Sequence, residues 1–123
     1  MTKRTLVVVN RTRGTVLGNR VLAAETFLSR LLGLLGTREL APGAGIWISP
    51  ASGVHTFGMP YAIDVAFLDA RGGVIGVSQG LRPNRVSRFH PGARGVLEVK
   101  AGTLAATGTS LGDRLEFGAR DLT

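Results

Sequence analysis

Eighteen glycines divide this 123-residue chain into short apolar runs. That spacing favours short strands joined by tight turns over long helices. Residues 5–10 read as a first strand. Arg13-Gly14 and Gly18-Asn19 are turn dipeptides bracketing residues 15–17, and residues 20–24 read as another strand. Residues 5–24 therefore look like a hairpin or short meander. Residues 46–49 form a short strand carrying Trp47 and stopped by Pro50, and residues 54–57 are a further candidate. The clearest strand is 63–68, where Ile63, Val65 and Phe67 alternate with Asp64, Ala66 and Leu68. Residues 69–73 are a hairpin turn leading into a strand over 74–78. Residues 82–94 lack periodicity and hold two prolines, so they read as a long loop. A strand over 95–100 carries Glu98 in its middle. Residues 101–107 suit a short helical turn, and Gly112-Asp113 turns into a last strand over 114–117.

One segment breaks the pattern. Thr26 is a candidate N-cap, and Phe27, Leu28, Leu31, Leu32 and Leu35 share a broad face opposite Ser29 and Arg30, which predicts a helix over 26–35 ended by Gly33 or Gly36. The expected fold is mainly β (α+β): a small curved or barrel-like sheet of about eight short strands, capped by that helix. No linker, repeat or low-complexity segment divides residues 1–123, which read as a single domain.

The chain has no cysteine, so disulfide frameworks, thiolate metal sites and cysteine nucleophiles are excluded. Thirteen arginines and two lysines face eight acids, a net charge of +7. Such a balance marks a basic protein with an affinity for anionic partners, although no recognised nucleic-acid motif accompanies it. No apolar run approaches the ~20 residues of a membrane span. Lys3 and Arg4 precede an apolar run of only four residues, too short for an export signal. The chain as written reads as cytoplasmic, and as exported if its true start lies upstream.

Chemistry points to residues 54–69. Asp64 lies among apolar neighbours, and a buried charge needs a partner. If residues 54–57 and 63–68 were neighbouring strands, His55 and Asp64 would approach each other. His55 would then be a general base, Asp64 its orienting carboxylate and Thr56 a hydroxyl partner. The simpler reading is that Asp64 accepts backbone N–H groups from a glycine-rich turn. His55, Thr56, Met59, Asp64 and Glu98 are the candidates for a polar cleft. A metal would need His55 and Asp64 to converge with His90 or Asp69, and no pair has the spacing of a familiar histidine site. No metal or cofactor is therefore expected. Arg82, Arg85, Arg88 and Arg94 in the long loop, with Phe89 and His90, suit phosphate or carboxylate groups.

Several of these pieces recur together. Residues 30–38 (RLLGLLGTR), 45–47 (GIW), 55–59 (HTFGM), 63–69 (IDVAFLD), 96–99 (VLEV), 101–103 (AGT) and Gly112-Asp113 resemble the bacterial and archaeal family named domain of unknown function 192. The resemblance runs from about residue 20 to 117. It implies a compact, mainly β domain with a helix, and no established activity, cofactor or substrate. Many members of that family resemble exported or lipid-anchored proteins with an N-terminal signal, which this chain lacks. His55, Met59, Asp64 and Glu98 fall on matching positions, and the resemblance assigns them no role.

These observations favour a non-enzymatic binding or accessory domain with a polar cleft near His55 and Asp64. The alternatives are a small hydrolase or lyase using a His55–Asp64 pair, and weak binding of nucleic acid or a small anion through the arginine loop.

Overall fold

A computed structural model of the chain describes residues 5–24 and 40–119. Seven strands form one curled, half-barrel sheet: β1 (Thr5–Asn10), β2 (Thr15–Ala24), β3 (Ala44–Ile48), β4 (Ile63–Leu68), β5 (Val74–Leu81), β6 (Gly95–Lys100) and β7 (Leu115–Ala119). One short helix, α1 (Thr103–Ala106), follows β6. The strand order is β5-β4-β6-β3-β2-β1-β7. Every described neighbouring pair is antiparallel except β2 and β3, which run parallel. A parallel pair needs a crossover longer than a hairpin. The helix expected over 26–35 falls between these two strands in sequence and lies outside the described residues.

Two expectations from the glycine pattern change. Gly18-Asn19 is not a turn between two strands but lies inside the ten-residue β2. The β1–β2 register slips where Val8 faces Gly18, as a bulge does, and the Asn19 and Arg20 N–H groups donate to the Gly43 carbonyl at 3.1 and 2.9 Å. Second, residues 54–57 are not a strand beside β4. Both edges of β4 are occupied by β5 and β6, and His55 pairs with Val86 in an isolated bridge instead. Strand β5 is also longer than the turn signals suggested, ending at Leu81.

All six residues of β4 are buried, so the sheet packs on both faces. Ile63, Val65 and Phe67 join Ile46, Val54, Met59, Tyr61 and Val96 in one cluster. Ala66 and Leu68 join Val8, Leu17, Val21, Val74, Leu97, Val99, Leu104 and Leu115 in the other. The second cluster draws on strands from both ends of the order, so it fills the inside of the curl. The first lies on the outer face, under the connections 49–62 and 82–94. Burial of this kind stabilises by roughly 25 cal/mol per Å² of apolar surface removed from water.

The half-barrel is pinned where its end strands meet. Gly73 and Arg114 form an antiparallel bridge, and the Leu115 N–H donates to the Gly72 carbonyl at 2.8 Å. Gly72 has φ of 84°, and a Cβ there would run into the Leu115 carbonyl, so this turn requires glycine. The hairpin expected at 69–73 is present. Asp69 Oδ1 accepts the N–H groups of Arg71 and Gly73 at 2.9 and 2.8 Å. These bonds hold the Asp69 carboxyl below its ordinary value.

Candidate functional site

Strand alternation separates the acidic candidates. Asp64 stands opposite Val99 and shares its inner face, whereas Glu98 stands between Val65 and Ile46 on the outer face. Both are buried. Asp64 Oδ1 accepts the Gly80 N–H at 2.9 Å, and Oδ2 accepts those of Gly102 and Leu104, each at 3.0 Å. One carboxylate thus fastens the end of β5 and the start of α1 to β4. It seats Leu104, fully buried, inside the curl. Backbone donors of this kind are what a carboxylate needs to remain among apolar neighbours.

The segment carrying His55 lies on the other side. Val54, Met59 and Tyr61 pack into the outer cluster, so Met59 is part of the core. Thr56 is fully buried and joins two loops. Its hydroxyl donates to the Arg82 carbonyl and accepts the Arg85 N–H at 2.8 Å, while its own N–H donates to the Arg85 carbonyl at 2.8 Å. Around it runs a short irregular ladder. The Ser87 N–H donates to the Val54 carbonyl and that of His90 to the Ser52 carbonyl, at 2.8 and 2.9 Å. The Val54 N–H donates to Ser87 Oγ at 2.9 Å, and that of Gly58 to Asn84 Oδ1 at 3.2 Å. Asn84 supports this turn with φ of 60°, a conformation asparagine tolerates better than most residues.

The 82–94 loop is therefore a tied arm along the outer face. His90 anchors it, stacking on Phe67 with ring centroids 3.8 Å apart and lying over Gly76. His90 is thus placed by packing, well along the arm from the His55–Val86 bridge. Among the described residues, no three of His, Cys, Asp and Glu are grouped as a metal would require.

What the tied arm presents to solvent is mixed in character. Arg82, Arg85 and Arg88 are exposed. Val86 and Phe89 are 67% and 69% exposed, and Phe57, on the facing loop, is 50% exposed. The His55 ring is half-buried and tilts against Phe57 at a centroid distance of 4.9 Å. Arginine forks and open rings on a backbone-braced frame can hold an anion that also offers flat or apolar surface. Of the sequence candidates, His55 and Thr56 lie on one loop and Arg82, Arg85 and Arg88 on the arm tied to it, with Thr56 bonded to the backbone of Arg82 and Arg85. Glu98 is buried on the same face, and Asp64 lies on the opposite one.

A second polar cluster escaped the sequence reading. Asn10, Thr109 and Asp113 are buried together at the ends of β1 and β7. The Asn10 amide donates to Thr109 Oγ1 and Asp113 Oδ2, both at 3.0 Å, and Arg13 Nε meets the same carboxylate at 3.1 Å. Burial pushes the Asp113 carboxyl up, but the Asn10 amide, the Arg13 guanidinium and the Ser110 N–H outweigh it and hold the group below its ordinary value. Asn10 ends a strand and Asp113 sits in a turn, so each has a local explanation, and only the fold reveals the pair.

A family model described as "Uncharacterized ACR" matches residues 8–117. A UPF0127 protein of Thermococcus sibiricus is 30% identical over 116 residues, which cover 90% of this chain and 74% of that protein. Two crystal structures share the fold. One is a protein of Sinorhizobium meliloti provisionally described as a transcription regulator, with a TM-score of 0.74 and 24% identity over 94% of each chain. The other is a protein of unknown function from Novosphingobium aromaticivorans, with a TM-score of 0.75 and 21% identity over 93% of this chain and 84% of that one.

Proposed function

The chain belongs to the domain of unknown function 192 family, and from that premise we propose that it is a non-enzymatic binding domain whose contact face is the tied pair of loops 52–58 and 82–90. One observation carries the reading: Phe57, Val86 and Phe89 stay open to solvent beside Arg82, Arg85 and Arg88, on loops braced by backbone bonds. Large exposed rings on a rigid frame suit contact with a partner. His55 contributes its ring beside Phe57, and Thr56 holds the two loops in register. Met59, Asp64 and Glu98 serve the scaffold beneath. The arginines select for an anion.

Retention on immobilised heparin tests this reading. The wild type is expected to elute at higher salt than a folded Arg82→Ala/Arg85→Ala/Arg88→Ala variant, because fewer counterions are released when the arginines are gone. Equal elution of the two overturns it.

A further inference from the structure

We propose that the partner of this face is single-stranded nucleic acid, an inference that rests on the binding face proposed above. The first ground is charge. From Ala70 to Leu97 the chain carries five arginines and no acid. The carboxylates nearest in sequence are engaged or enclosed. Asp64 accepts three backbone N–H groups, Asp69 accepts two, and Glu98 is fully buried. The described ion pairs, Arg11–Glu116 and Arg13–Asp113, lie outside the loops. Loops 52–58 and 82–90 themselves carry the three exposed arginines and no acidic residue, which makes their surface positive.

The second ground is the kind of apolar surface beside that charge. Two of the three exposed apolar side chains are phenyl rings, and Phe57 has the His55 imidazole as a neighbour, inclined by 32°. A ring presents a face on which a base can stack, and an arginine can pair with the phosphate beside it. A duplex offers the same phosphates but keeps its base faces stacked inside, so the rings would be idle against it.

The third ground is spacing and rigidity. His55 faces Val86, and the His90 N–H reaches the Ser52 carbonyl, which puts Phe57 and Phe89 toward opposite ends of the ladder. At the rise of an extended chain they are separated by about 15 Å along it. That length spans a few nucleotides, with Arg82, Arg85 and Arg88 distributed on the same arm. Because Thr56 and the ladder already order the loops, a strand would bind without first freezing them.

Fluorescence anisotropy of labelled dT12, alone and as the dT12·dA12 duplex, tests the proposal, with heparin and phosphatidylglycerol vesicles as other anions. Wild type is expected to prefer the single strand. Phe57→Leu/Phe89→Leu, which keeps apolar bulk and loses the rings, is expected to weaken that binding about tenfold or more, and Phe57→Trp/Phe89→Trp to retain it. The triple arginine variant is expected to lower the slope of log K against log salt by about 2, since each phosphate contact on a single strand contributes about 0.7. Preference for the duplex or the vesicles, or leucine variants that bind the single strand like wild type, overturns the single-strand assignment and leaves an anion-binding face standing. Failure to bind single strand, duplex, heparin and vesicles alike overturns both readings.

Discussion

Asp64 and Glu98 belong to adjacent strands yet point to opposite faces of the sheet, because Asp64 pairs with Val99 and Glu98 with Val65. The two carboxylates therefore serve different halves of the molecule. Asp64 organises the inside of the curl through Gly80, Gly102 and Leu104, and Glu98 is enclosed beneath the loops of the outer face.

Asp64→Ala is expected to lower the unfolding free energy by about 2–3 kcal/mol, since it strands the buried Leu104 N–H and removes a charged acceptor. Asp64→Asn is expected to recover only part of this, as its amide nitrogen would face a backbone donor. Urea denaturation measures both, and a loss under ~1 kcal/mol for alanine would contradict the bracket role.

Thr56→Val keeps the shape of the side chain and deletes the hydroxyl that links Arg82 to Arg85. A cost of about 1–3 kcal/mol is expected for the abandoned partners. The 82–90 arm should then open more often. Trypsin cleavage after Arg85 or Arg88 is expected to be several-fold faster than in wild type, and unchanged cleavage would show that other bonds hold the arm.

Gly76 is a different constraint on the same arm. A methyl group there would run into the His90 imidazole, which is stacked on Phe67. Gly76→Ala is expected to cost about 1 kcal/mol and to displace His90. Faster amide exchange at His90 and Ala93, whose N–H groups donate to the Ser52 and His90 carbonyls, would report the shift. Protection like that of wild type would mean the ring yields at no cost to the arm.

Acid sensitivity is expected from the Asn10–Asp113 cluster. The Asp113 carboxyl is held below its ordinary value of 3.8 in the folded chain. The unfolded chain therefore takes up the proton first as pH falls. The stabilisation is complete above the unfolded value and is lost as pH drops through the lowered folded value. Asp69, also lowered, acts in the same direction. Thermal melts below about pH 4 should show stability falling with acid in wild type and falling less in Asp113→Asn. Parallel curves would refute the assignment.

The sequence by itself determined the strand-rich class, because glycine spacing and period-two alternation are local signals that survive without tertiary context. Strands β1, β4 and β6, the hairpin at Asp69–Gly73 and the short α1 could all be read that way. It also determined that Asp64 must have partners, since burial of a charge among Ile63, Val65 and Ala66 permits nothing else. Which partners it has was a tertiary decision. Gly80 lies 16 residues away and Leu104 lies 40 away, and no spacing rule links them to Asp64. The same holds for His55. Its neighbourhood was decided by β5 and β6 occupying both edges of β4, which left residues 52–58 to pair with the arginine arm instead. Hydrogen-bonding edges are a finite resource, and only the completed sheet shows which ones remain open.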